Sequence, residues 1–132
     1  MTEVVLLALA LSSAAPAEKW EKTYNNEHAT AYVDVRSIIR EGATAKATFR
    51  RDYADPATRK SFDENGRAFP LARTMSVEAF DCDGDEHTIE KIWDLSPDGK
   101  QQSPVKSYPR SKNNDTWDAA AKKAVCAAKP SP

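Results

Sequence analysis

From Lys19 onward, hydrophobic and polar residues alternate in short runs broken by turn formers, the period-2 pattern of β-strands. The clearest run is Ala43 to Tyr53, where Ala45, Ala47 and Phe49 fall on one face and Lys46, Thr48 and Arg50 on the other. Upstream, Lys19 to Tyr24 and Ala29 to Val35 predict a hairpin across an Asn25-Asn26-Glu27-His28 turn, with Trp20 as its inward anchor. Ser37 to Arg40 is too short for a helix and predicts one tight turn, closed by Gly42. Between Asp55 and Pro70 the alternation lapses into an irregular loop, a kind of segment that often carries function. It returns over Leu71 to Cys82, with Met75, Val77 and Ala79 aligned on one face. Asp83-Gly84 is a hairpin signal, and Glu86 to Leu95 answers as the paired strand. After a Pro97-Asp98-Gly99 turn, Gln101 to Tyr108 predicts a last strand, interrupted by Pro104.

The period then changes. Asp115 or Thr116 can cap a helix running to Ala128 through a stretch rich in alanine and lysine. Trp117, Ala121, Ala124, Val125 and Ala128 share one apolar stripe at helical spacing, suited to packing on a sheet. The expected fold is therefore α+β: an antiparallel sheet of five or six strands packed by a C-terminal helix. It makes one domain over residues 18–132.

Residues 1–17 stand apart. They hold an apolar run from Val4 to Leu11, one charge (Glu3), and an Ala15-Pro16-Ala17 tripeptide of the kind cut by signal peptidase. The run is well short of the roughly 20 residues that cross a bilayer, so a cleaved secretory leader is expected. No second apolar stretch predicts a membrane span, and no cysteine near the cut suggests a lipid anchor. Lysine plus arginine number 19 against 20 acids, and losing Glu3 with the leader balances them. Such neutrality argues against a nucleic-acid partner, which calls for a basic excess.

Export changes the meaning of the two cysteines. In an oxidising compartment Cys82 and Cys126 are expected to pair, and their separation of 44 residues excludes a CxxC redox or zinc motif. A bond between them would staple the final helix to the end of the central hairpin.

Catalytic and metal chemistry find little support in the pattern. Asp81, Asp83, Asp85 and Glu86 suggest a calcium loop, but D-x-D-G-D lacks the glycine and glutamate spacing of an EF-hand and reads as an acidic hairpin tip. His28 and His87 fall near predicted turns, outside any nucleophile motif, and are expected to be solvent-exposed. With four glycines and no phosphate loop, neither an enzyme, a metal site nor a cofactor is expected. The charges are unevenly spread, however. Lys100, Lys106, Arg110 and Lys112 gather with Tyr108 in an acid-free tract that would suit an acidic partner. This tract and the Asp55 to Pro70 loop are the candidate binding segments.

Tyr32-Val33-Asp34-Val35-Arg36-Ser37-Ile38-Ile39-Arg40-Glu41-Gly42 resembles the YVD-x-x-SI-x-R-x-G signature of surface-adhesin protein E-like domains. Trp20 upstream, Phe80-Asp81-Cys82 in the middle and Val125-Cys126 at the end extend the resemblance across the chain after the leader. The resemblance implies an exported bacterial domain, periplasmic or at the cell surface, with a sheet, a packed C-terminal helix and a disulfide joining them. It also implies a non-enzymatic binding function toward host extracellular-matrix or envelope proteins. The alternatives are a periplasmic inhibitor of an enzyme such as lysozyme, or a structural envelope protein. The signature also has a purely architectural reading. Asp34 would accept backbone N–H groups of the Ser37-Ile38-Ile39 turn, Ile38 or Ile39 would tuck beneath the sheet, and Gly42 would supply a positive φ.

Overall fold

A computed structural model describes residues 17–129, so the expected leader, apart from Ala17, lies outside the described residues. In chain order the elements are β1 (Trp20–Asn25), β2 (Ala29–Asp34), β3 (Ile39–Glu41), β4 (Thr44–Tyr53), β5 (Lys60–Phe62), β6 (Ala68–Pro70), β7 (Arg73–Asp81), β8 (Glu86–Leu95), β9 (Lys106–Lys112) and α1 (Thr116–Cys126). The main sheet is antiparallel in the order β1-β2-β4-β7-β8-β9. Strand β4 is its spine. One edge pairs with β7 along nearly its whole length, and the other is shared between β2 and the short β3.

Helix α1 lies across β1, β2, β4 and β7 on one face only. The alternation of β4 puts Ala45, Ala47 and Phe49 under it, and Val33, Phe80 and Val125 complete the buried core. Asp115 caps the helix by accepting the Asp118 N–H at 2.9 Å. Its C-terminal end is held twice. Cys126 is bonded to Cys82, with Cα atoms 5.7 Å apart. Arg40 Nη1 donates to the carbonyls of Cys126 (2.8 Å) and Ala128 (3.0 Å), a cation placed where helix carbonyls lack partners. Arg40→Ala is expected to cost about 1–2 kcal/mol in urea denaturation, with Arg40→Lys recovering only part because an ammonium lacks the planar fork. An unchanged midpoint would refute this capping role.

The signature tract is architectural, with one correction. Asp34 Oδ1 accepts the N–H of Arg36 (3.1 Å) and of Lys19 (3.0 Å), not those of residues 37–39. The chain turns two residues earlier than expected, as a 3₁₀ turn over Val35–Ser37, and Ile39 to Glu41 then pairs as a strand. Ser37 Oγ donates to the Asp34 carbonyl and accepts the Thr48 N–H, tying the turn to β4. Ile38 packs against the core while Ile39 is exposed, and Gly42 has the expected positive φ of 59°.

Three other expectations change. The Asp55 to Pro70 loop is a 3₁₀ turn followed by the β5–β6 hairpin, which buries Phe69 and Ser61. The last strand runs over Lys106–Lys112, with Gln102 contributing only a single bridge to Leu95, because Pro104 cannot donate to a ladder. Trp20 stands on the face opposite α1, since it pairs with Asp34, one residue out of phase with the buried Val33. Met75, Val77 and Ala79 share that uncovered face, while Ser76 and Phe80 point to the helix side.

Candidate functional site

The two faces of the sheet have different chemistry. On the helix side, α1 covers the β1–β4 half more closely than β8, leaving a cleft of about 340 Å3 between helix and sheet. Phe49, Ile89 and Ile92 line its apolar middle, and Trp117 with Arg51 its helix-side rim. The Arg51 guanidinium lies 4.2 Å from the Trp117 ring centroid, and Tyr24 meets the same ring edge-on.

Polar groups occupy the two ends of the cleft. At one end Asp94 accepts the hydroxyls of Thr74 and Ser61, both at 2.7 Å, which ties the β5–β6 hairpin to the main sheet. At the other end stand Glu78 on β7, His87 on β8 and Asp118 on the first turn of α1. One ligand atom from each of these three lies within 4.8 Å of the other two. His87 is buried, not solvent-exposed as its sequence neighbourhood suggested. It pairs directly with Phe80 across the β7–β8 hairpin, and its ring stacks on that phenyl at 4.9 Å. Its Nδ1 contacts Asn113 Oδ1 at 2.7 Å, and its Nε2 lies 3.6 Å from Glu78 Oε1. Glu78 Oε2 accepts the Ser76 hydroxyl, and Asp118 Oδ2 accepts the Asn114 N–H.

Burial pushes the Glu78 carboxyl above the usual carboxylate range, against the opposing pull of Ser76 and His87. Asp118 is raised as well, first by desolvation and then by the neighbouring charge of Asp115. Arg51 makes no ion pair with either carboxylate among the described residues. The signal that would have found this cluster is hairpin register. Pairing outward from Asp83-Gly84 sets His87 opposite Phe80, on the same face as Glu78.

The uncovered face carries Trp20, Tyr32, Met75, Val77 and Trp93, all half-buried. Arg50 sits among them, its guanidinium 4.8 Å from the Trp20 ring and 4.4 Å from the Tyr32 ring. Asp52 engages Arg50 and Arg73, and Glu90 engages Lys46. Lys22 and Lys91 on this face are exposed and form no ion pair among the described residues.

The basic tract is only partly brought together. Lys106, Tyr108, Arg110 and Lys112 lie exposed along the edge strand β9, whereas Lys100 sits in the preceding loop beside Asp63 and Glu64. Arg110 pairs with Glu86 at 3.3 Å and Lys112 with Asp85 at 3.1 Å. Much of the charge asymmetry read along the chain is thus matched within the fold, acidic hairpin against basic strand. His28 is exposed in its turn, as expected.

No protein-family model, curated protein or solved structure matches the chain. No described helix is long and apolar enough to cross a membrane, and the disulfide fits an oxidising compartment.

Proposed function

We propose that this protein is an exported, non-enzymatic binding module that engages an envelope or extracellular-matrix protein through the sheet face α1 leaves uncovered. The observation that carries the reading is the composition of that face. Where an antiparallel sheet has one face on the core, the other is ordinarily polar. Here it presents two tryptophans, a tyrosine and a methionine around an arginine, residue types enriched at protein interfaces. Lys22 and Lys91 at its margins, exposed and without ion pairs among the described residues, favour an acidic partner. The resemblance of the Tyr32 to Gly42 tract to surface-adhesin protein E-like domains supports the same class of function and the same kind of partner.

The test is saturable binding of the protein lacking its leader to panels of matrix proteins and envelope components. Lys22→Glu combined with Lys91→Glu is expected to weaken capture at least tenfold without moving the unfolding midpoint. Absence of a saturable partner in both panels would overturn the proposal, as would binding indifferent to this charge reversal. Inhibition of a lysozyme panel at micromolar protein would replace it with the inhibitor reading.

A further inference from the structure

We propose that Glu78, His87 and Asp118 form a binding site for one first-row divalent transition ion of the zinc class. The His87 side chain is only 4% exposed, and a buried imidazole ordinarily satisfies both ring nitrogens. Asn113 Oδ1 can only accept, so Nδ1 carries the ring hydrogen at that 2.7 Å contact. In that tautomer the Nε2 lone pair is directed at Glu78 and Asp118. Nε2 makes no hydrogen bond among the described residues, and its 3.6 Å approach to Glu78 Oε1 is too long for one. An imidazole held through one nitrogen by an amide oxygen, with the other nitrogen open, is the arrangement that orients metal-bound histidines.

The carboxylates fit the same role. Each has one oxygen engaged, Glu78 by Ser76 and Asp118 by Asn114, which orients the group and leaves the second oxygen available. A four-coordinate ion with bonds near 2.0 Å sets neighbouring ligand atoms about 3.3 Å apart. The mutual distances here, all within 4.8 Å, need only small side-chain adjustments to reach that value. Two carboxylates and a neutral imidazole balance a divalent charge, which removes the repulsion between two acids sharing a partly buried site. An imidazole ligand favours zinc-like ions over calcium or magnesium. The three side chains line the cleft, so the remaining coordination position faces it and is open to water or a small anion. The ion would also join the first turn of α1 to β7 and β8, so the helix would be held at its N-terminal end as the disulfide holds it at the other. This inference concerns the helix side of the sheet and does not depend on the proposed docking face.

The test uses tag-free, chelator-treated protein lacking its leader. Calorimetry with Zn2+ is expected to show one saturable site, and Co2+ to give the visible absorption bands of a low-coordinate site. Asp118→Asn keeps an acceptor for the Asn114 N–H and is expected to lower Zn2+ affinity at least tenfold while the apo unfolding midpoint holds. His87→Gln should abolish the Co2+ bands, and His28→Gln, at the exposed histidine, should leave them unchanged. Failure to bind Zn2+ overturns the proposal. So does affinity that Asp118→Asn leaves unaltered, or binding that His28→Gln removes.

Discussion

Phe80→Ala is expected to destabilise the domain by about 3–5 kcal/mol, the cost of removing a fully buried phenyl and leaving a cavity behind. Phe80 is 0% exposed and lies at the centre of the core. Its ring meets Phe49 edge-on at 5.8 Å and supports the His87 imidazole from the other side. Ala45 is its cross-strand partner on β4, and alanine has no atoms with which to refill the space. Against a typical total of about 5–15 kcal/mol, such a loss leaves little of the domain folded at modest denaturant. Urea titration monitored by tryptophan fluorescence checks the magnitude, and Phe80→Leu should recover much of it. A cost below about 1.5 kcal/mol would mean that the core collapses around the gap far better than rigid β4 and β7 allow.

The second large effect is expected from the disulfide. Replacing both Cys82 and Cys126 by serine should cost about 4 kcal/mol, the chain-entropy value for a closed loop of 44 residues. The loss should also have a location. The bond anchors the last turn of α1 beside Val125, which is fully buried, while the strands of the sheet keep their own ladders. Amide exchange in the double variant should therefore rise first in α1, and least in β4 and β7. Arg40 still bonds the terminal carbonyls in that variant, so adding Arg40→Ala should release the helix further. Equal loss of protection across sheet and helix would show that α1 has no separate opening and that the bond acts on the whole domain at once.

The strand pattern was legible because it is local. Alternation in β4, the Asp83-Gly84 turn and the Asp115 cap each depend on residues within a few positions of one another. The cysteine pairing was legible for a different reason: two cysteines in one chain leave one partner each. The β5–β6 hairpin was missed because its strands are three residues long and its turn is organised by one side chain. Asp63 Oδ1 accepts the N–H groups of both Asn65 and Arg67, an arrangement with little periodic signal.

In β7 the alternation left the inner face open. Met75-Val77-Ala79 is the more hydrophobic of its two alternating sets, aligned on one face. The helix instead covers the set containing Ser76, Glu78 and Phe80. Register from β4 decides the matter, because Phe49 and Ala45 face α1 and carry their cross-strand neighbours Ser76 and Phe80 with them. That choice turns an apolar stripe outward as a candidate docking face and brings polar side chains inward to line the cleft.

The candidate metal site depends on the same choice. Glu78, His87, Asn113 and Asp118 come from two strands, a connecting segment and a helix, and no spacing among them marks a ligand motif. The amino-acid sequence by itself determined the long strands and the final helix, the Asp83-Gly84 hairpin, the cysteine pair and the neighbourhood of the helix cap, since each is set by neighbours or by composition. Which face the helix covers, that His87 is buried, and that three ligating side chains converge were decided only by the tertiary structure. The physical reason is that period 2 divides a strand into two faces without saying which lies inside; packing one helix across β1, β2, β4 and β7 makes that assignment for the whole sheet at once.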